Sequence, residues 1–172
     1  METRWLTRTA LLLAITLLFQ SLRLIFPIPP IASIFLIGSL VNASLLISAQ
    51  MIGWHSALCI AILAPLVAYA QHMLPVPLFI LPVALGNIGI VAVFLILLSR
   101  GWFIALISGA VSKALILYGS ISWLLSSFVK LPPKTVSAML FAMSWPQFVT
   151  AVVGGFLAHF IVMRLNVAKN NH

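Results

Sequence analysis

Beyond its second residue this 172-residue chain contains no acidic side chain, because Glu2 is its only Asp or Glu. At the same time, 63% of its residues are hydrophobic and only 6% are charged. A soluble domain of this length cannot bury so much apolar surface, so the lipid bilayer is the solvent that this composition requires. We therefore expect one integral membrane domain over residues 1–172, without a soluble module.

The missing carboxylates exclude most enzyme chemistry. No Asp or Glu after Glu2 is available for general acid–base catalysis, for holding Mg²⁺ or Ca²⁺, or for orienting a catalytic histidine. The four histidines lack metal-ligand spacing and the single cysteine, Cys59, lies in an apolar run, so we predict no metal site and no cofactor. The net charge of +8 comes from Lys and Arg scattered at segment ends, which argues against a nucleic acid partner.

Five breaks rich in Pro, Gly and charge divide the chain into six apolar runs. A membrane-spanning helix needs about 20 apolar residues, so each run predicts one span and the fold class is an all-α bundle of six transmembrane helices. The runs lie near residues 6–25, 32–52, 55–73, 77–99, 102–128 and 136–164. Pro65, Pro82 and Pro146 fall inside runs, where we expect kinks rather than helix ends, since neighbouring helices can satisfy the freed backbone groups.

The Lys and Arg residues of the short loops indicate the orientation in the membrane. If the N-terminus is inside, the cytoplasmic side carries Arg4, Arg8, Arg100, Arg164 and Lys169. The outer side then carries Arg23, Lys130 and Lys134. This bias predicts that both termini are cytoplasmic and that the proline-rich first and fifth loops face outward.

Lys113 lies about midway along the fifth run, and no carboxylate is present to pair with it. Ionisable groups inside a membrane are costly and mark functional sites by default. One interpretation is a cation that binds an anionic substrate group. The other is a lysine that snorkels to the interface, or that backbone carbonyls and water hold in place.

Three amide side chains lie at about the depth of Lys113. Asn42, Asn87 and Gln147 are each about ten residues from the outer end of their run, which corresponds to roughly 15 Å at 1.5 Å per residue. Four polar groups on four helices at one level predict a ring around a small-molecule pocket. The alternative is interhelical hydrogen bonding that only holds the bundle together, at about 0.6 kcal/mol per bond.

Two further residues are candidates for the same pocket. Trp145 is adjacent in sequence to Pro146 and Gln147, and it either stacks on a flat ring of the ligand or simply packs. Arg23 lies nearer the outer surface and, like Lys113, favours a carboxylate or phosphate on the ligand. The identity of the ligand is not readable from these residues.

Small residues spaced by four allow close approach of helices. Ala10 and Ala14 form such a pair in the first run. A longer stripe of this kind runs along the last helix, and we expect it to pack tightly on a neighbour; its members are Gln147, Ala151, Gly154 and Ala158.

With these features, nearly the whole chain resembles the substrate-binding S component of energy-coupling factor (ECF) transporters. The resemblance rests on six helices in about 170 residues, the proline-rich first outer loop, and three sequence stretches. These are Thr7-Arg8-Thr9-Ala10-Leu11-Leu12-Leu13-Ala14, Gly38-Ser39-Leu40-Val41-Asn42-Ala43 and Lys113-Ala114-Leu115.

The resemblance implies a high-affinity substrate-capture subunit of an ABC-type vitamin importer in the plasma membrane of a prokaryote. Ala10 and Ala14 would contact a transmembrane coupling subunit, which in turn sits on two ATPase subunits. Residues Pro27 to Ser33 would form a lid, and Asn87, Lys113 and Gln147 would line the pocket. The chain itself has no Walker A sequence, which agrees with ATP hydrolysis by partner subunits.

Other classes of membrane protein stay open at this point. A small six-helix scaffold of the rod-shape MreD type is the main alternative, although a scaffold has no need of a polar ring. An intramembrane enzyme conflicts with the missing carboxylates. A channel should carry a polar stripe along a whole helix, and none is visible.

Overall fold

The computed structural model describes residues 2–170, and the side chains of residues 3–166. Within this part every regular element is a helix, and there is no β-strand. The helices are α1 (Glu2–Ile25), α2 (Pro30–Met51), α3 (Trp54–Ala70), α4 (Ile80–Leu97), α5 (Trp102–Ser127), α6 (Pro133–Ala142) and α7 (Trp145–Asn170). Single 3₁₀ turns, Pro77–Phe79 and Leu98–Arg100, precede and follow α4.

Five helical stretches are long and apolar enough to cross a membrane, namely Thr3–Ile25, Pro30–Met51, Pro77–Arg100, Trp102–Ser127 and Pro133–Asn166. The sixth, α3, has 17 residues, which corresponds to about 26 Å of helix. Short connections join these stretches, so stretches that are neighbours in sequence run antiparallel, and α6 and α7 together form the last of them. The predicted all-α membrane bundle is thereby confirmed.

The prolines behave differently from the prediction of three kinks. Only Pro65 lies in a helix interior, in α3. Pro82 and Pro146 lie in the first turns of α4 and α7, where backbone N–H groups have no helical partner and a proline loses nothing. The predicted run 136–164 lies within one membrane-crossing stretch, Pro133–Asn166, which consists of two helices because one ends at Ala142 and the next begins at Trp145.

The closest helix contacts depend on glycines. The most extensive packing is between α2 and α7 and between α4 and α5. A Cβ atom built on Gly154 would lie 2.5 Å from the Ser39 carbonyl oxygen and 2.9 Å from the Ala43 nitrogen. Ala151 and Ala158, which share the stripe with Gly154, are fully buried. The prediction that this stripe of the last helix packs tightly on a neighbour is confirmed, and the neighbour is α2.

This contact predicts a strong position dependence for glycine substitution. Gly154→Ala should destabilise the protein by about 1–3 kcal/mol, because the new methyl group meets backbone atoms that cannot move aside alone. Gly119→Ala is the matched control, since it lies in α5 with no atom within 4 Å of the new Cβ, and it should change stability by less than about 1 kcal/mol. Unfolding of the two variants in detergent checks this, and equal stabilities would contradict it.

Candidate functional site

A cavity of about 490 Å³ lies at the end of the bundle where α1 ends and α2 begins. Its walls come from the α1–α2 loop, the first turns of α2, the chain after α3, the start of α4, the C-terminal half of α5, α6 and the α6–α7 break. The lining residues are Arg23, Phe26, Pro27, Ile28, Pro30, Ser33, Ile34, Ile37, Gly38, Met73, Leu74, Val83, Leu117, Ala138, Met139, Ala142, Met143 and Gln147.

The lining is apolar apart from a few groups. Arg23 is exposed and is the one cation among the lining residues, so its guanidinium lies near the mouth. Gln147 and Ser33 add an amide and a hydroxyl group, and three methionines, Met73, Met139 and Met143, add polarisable thioethers. Such a wall suits a small molecule with a largely apolar body and few polar groups.

Gln147 connects the cavity to the break between α6 and α7. The carbonyl of Ala142 has no helical N–H partner, because α6 ends at this residue. The side-chain Nε2 of Gln147 donates to this carbonyl oxygen instead, at 2.9 Å. Among the described residues, no group donates to Oε1 of Gln147, so this acceptor is available to a ligand.

Beneath the cavity, Lys113 forms the centre of a buried polar cluster. Its Nζ donates to Oδ1 of Asn42 at 2.6 Å and to Oδ1 of Asn87 at 2.7 Å. All three side chains are at most 4% exposed. The sequence-based expectation that these residues lie at one depth is correct, and the structure brings them into direct contact.

Each asparagine of the cluster also donates a hydrogen bond to a group on another helix. Nδ2 of Asn42 donates to Oγ1 of Thr150 at 3.3 Å, and that hydroxyl donates to the carbonyl of Gln147 at 3.1 Å. On the other side, Nδ2 of Asn87 donates to the carbonyl of Ala61 at 3.4 Å. This is the carbonyl that Pro65 leaves without its helical N–H partner. The network thus joins α2, α3, α4, α5 and α7.

The cluster lies one helical turn below the cavity and does not line it. Each member is four positions along its helix from a residue of the cavity wall: Asn42 from Gly38, Asn87 from Val83, and Lys113 from Leu117. Four residues correspond to about 6 Å of helix. The expected single ring is therefore wrong in one respect, because Gln147 belongs to the wall above, whereas the other three form the layer below.

The two remaining candidates, Arg23 and Trp145, lie in different places relative to the cavity. Arg23 lines the cavity as expected. Trp145 does not, because it is 55% exposed and packs between Phe35 and Phe141, with ring centroids 5.8 Å away in each case. Sequence reasoning missed Thr150, which is fully buried and completes the network. Its position beside Ala151, on the stripe of the last helix that was expected to be buried, was the available indication.

Ala10 and Ala14 are exposed on α1. The other alanine pairs spaced by four on α3 are buried inside the bundle, namely Ala57 with Ala61 and Ala64 with Ala68. Along α1 the same side continues through Thr3 and Thr7, which are exposed as well. The small-residue surface of α1 is thus left for contacts outside this chain.

Comparison with known proteins identifies the family. A family model described as "ECF transporter, substrate-specific component" matches residues 4–166. No curated protein and no solved structure gives a match. Members of this family are multi-pass membrane subunits that bind a substrate for transport and associate with the coupling and ATPase subunits of the transporter. The chain belongs to this family of substrate-specific components of ECF transporters.

Proposed function

We propose that the cavity lined by Arg23 and Gln147 is the substrate site, and that the chain captures a vitamin, a vitamin precursor or a similar small organic molecule from outside the cell. The observation that carries the proposal is the cavity itself, whose volume of about 490 Å³ lies within the range of small-molecule sites. Its position at one end of the bundle gives a substrate access from one side of the membrane only.

The lining favours a ligand with an apolar or ring-shaped body and one anionic group. The guanidinium of Arg23 at the mouth can bind a carboxylate or phosphate with two parallel hydrogen bonds. Deeper in the cavity, Oε1 of Gln147 can accept one hydrogen bond from an N–H or O–H group of the ligand. The thioethers of Met73, Met139 and Met143 favour contact with a polarisable ring.

We assign the anionic group to Arg23 rather than to Lys113. Lys113 lies below the cavity wall, and two of its three N–H donors are already used by Asn42 and Asn87. A ligand in the cavity would have to displace Leu117 or Gly38 to reach it. Pro27 and its neighbours to Ser33, which cover the cavity from the first loop, act as the lid in this proposal.

Filling the cavity should prevent ligand retention. Ala138 is exposed on α6 and lines the cavity, so Ala138→Trp places an indole in it. The neighbouring Ser137→Trp serves as the matched control, because Ser137 is not part of the lining and its indole would lie outside the cavity. Mass spectrometry of the small molecules released from the purified, denatured variants should find the ligand with wild type and Ser137→Trp but not with Ala138→Trp.

Retention of the same molecule by both tryptophan variants would refute the cavity as the substrate site. In the same assay, Arg23→Gln tests the anionic group. Loss of a hydrogen bond to a charged group costs about 1.5–3 kcal/mol, so affinity for an anionic ligand should fall by at least about tenfold. Lys130→Gln, an exposed outer cation that does not line the cavity, should leave it unchanged.

The orientation that we propose places both termini in the cytoplasm and the cavity outside. Ser99, in the 3₁₀ turn before α5, and Ser127, at the end of α5, are both exposed, so two identical Ser→Cys changes test it in a Cys59→Ala background. A membrane-impermeant maleimide added to intact cells should label Ser127→Cys and not Ser99→Cys. The reverse labelling pattern would place the cavity on the cytoplasmic side and exclude capture from outside.

We further propose that the exposed face around Ala10 and Ala14 docks on the transmembrane coupling subunit. Small residues let another helix approach closely, which is the main source of helix association within lipid. The positive charges Arg4 and Arg8 at the start of α1 favour a position of this part of the helix near the cytoplasmic surface, in the orientation that we propose. That is the side on which ATPase subunits would act.

A large side chain at Ala10 or Ala14 should prevent assembly with the coupling subunit and leave ligand binding intact. Ala10→Trp or Ala14→Trp should abolish co-purification with the coupling subunit, because the indole holds the two helices apart. The control Leu115→Trp adds comparable bulk at a position that is 68% exposed on α5, and it should assemble normally. If the alanine variants assemble but lose the ligand, the face belongs to the ligand site and the docking proposal fails.

A further inference from the structure

Lys113 determines the direction of every hydrogen bond in the buried network. An ammonium group donates and cannot accept, so both asparagines must turn Oδ1 toward it. Their Nδ2 groups then point away, one to Thr150 and one to Ala61. Since Thr150 receives a donor from Asn42, its own hydroxyl proton is directed to the carbonyl of Gln147.

The two arms of this network end in different places. The arm through Asn87 ends at the Ala61 carbonyl of α3, four residues before Pro65, and makes no hydrogen bond to α6 or α7. The arm through Asn42 and Thr150 fastens the first two turns of α7 to α2. Gln147 lies in the first of these turns, and its side chain holds the end of α6. Only the Asn42 arm therefore bears on the cavity wall.

We propose that Lys113 is a positioning residue that never touches the ligand, and that its charge orients the Asn42–Thr150 arm so that the start of α7 and the α6–α7 break are held in the shape of the binding cavity. This inference rests on the proposed function only in taking the cavity as the ligand site. The hydrogen-bonded arm and its effect on the break can be measured without any ligand.

Two pairs of variants distinguish the effect of each hydrogen-bonded arm from the effect of side-chain packing. Asn42→Asp and Asn87→Asp both keep the oxygen that faces Lys113 and add a counter-charge, but each loses the N–H donor of its own arm. Thr150→Val keeps the shape of the side chain and loses its hydroxyl group. Thr150→Ser keeps the hydroxyl group and loses the methyl that faces Gly38, 3.0 Å from where a Cβ of that residue would lie.

The experiment measures how fast a maleimide reagent modifies a Met143→Cys thiol in the Cys59→Ala background. Met143 lies in the α6–α7 break and lines the cavity, so its modification rate reports opening of the break. We expect Asn42→Asp and Thr150→Val to raise the rate by about 2- to 10-fold, the effect of one lost hydrogen bond. Asn87→Asp and Thr150→Ser should stay within twofold of the parent. Thermal unfolding of each variant is recorded in parallel.

Equal rates for Asn42→Asp and Asn87→Asp would overturn the proposal, because the network would then act only through overall stability. So would a larger effect of Thr150→Ser than of Thr150→Val, because packing against Gly38 would then be what positions α7. The substrate-site proposal is tested separately by Ala138→Trp. If Ala138→Trp retains the ligand while the labelling pattern is as expected, the cavity is not the substrate site, and what stands is that the Asn42–Thr150 arm holds the α6–α7 break.

Discussion

The bundle depends on how one positive charge is accommodated where no negative charge is available. Lys113 is buried, and a lysine in the middle of a membrane helix costs about 2.5–3.5 kcal/mol on insertion scales. Two amide oxygens at 2.6 and 2.7 Å replace the carboxylate that the sequence lacks. Because these amides come from α2 and α4, the charge is satisfied only when three helices are in place. The same interaction therefore stabilises the fold and selects one arrangement of it.

Two backbone carbonyls without helical partners are accommodated by the same chemistry. Pro65 frees the carbonyl of Ala61 four residues earlier, and the end of α6 leaves that of Ala142 without a helical N–H. A side-chain amide donates to each of them, from Asn87 in the first case and from Gln147 in the second. In the interior of a membrane bundle a carbonyl such as that of Ala61 has no water to bond with, so the Asn87 amide is needed there whether or not a ligand binds. The polar side chains in the core thus have a structural explanation, and the candidate ligand-binding groups are the residues that line the cavity.

This division explains how a rigid core and a binding site occupy adjacent levels of the same helices. The layer of Lys113, Asn42 and Asn87 fixes the helices, and the layer one turn above it is left open as the cavity. The cavity wall is completed by the first loop and by α6, whose described residues are all exposed or half-buried. The opposite half of α1 keeps small residues exposed, away from the cavity. Capture and docking therefore occupy separate surfaces in the function that we propose.

The sequence by itself determined the solvent, the helical class, the number of apolar runs and the common depth of Lys113, Asn42 and Asn87, because each depends on composition or on the rise of 1.5 Å per residue. It also predicted that the stripe through Gly154 packs closely. Only the tertiary structure decided in which direction each side chain points. Helix rotation and the break at Pro146 place Lys113 among amides, Gln147 in the cavity wall and Trp145 on the outside. Those placements depend on contacts between residues as far apart as Asn42 and Thr150, which no local pattern encodes.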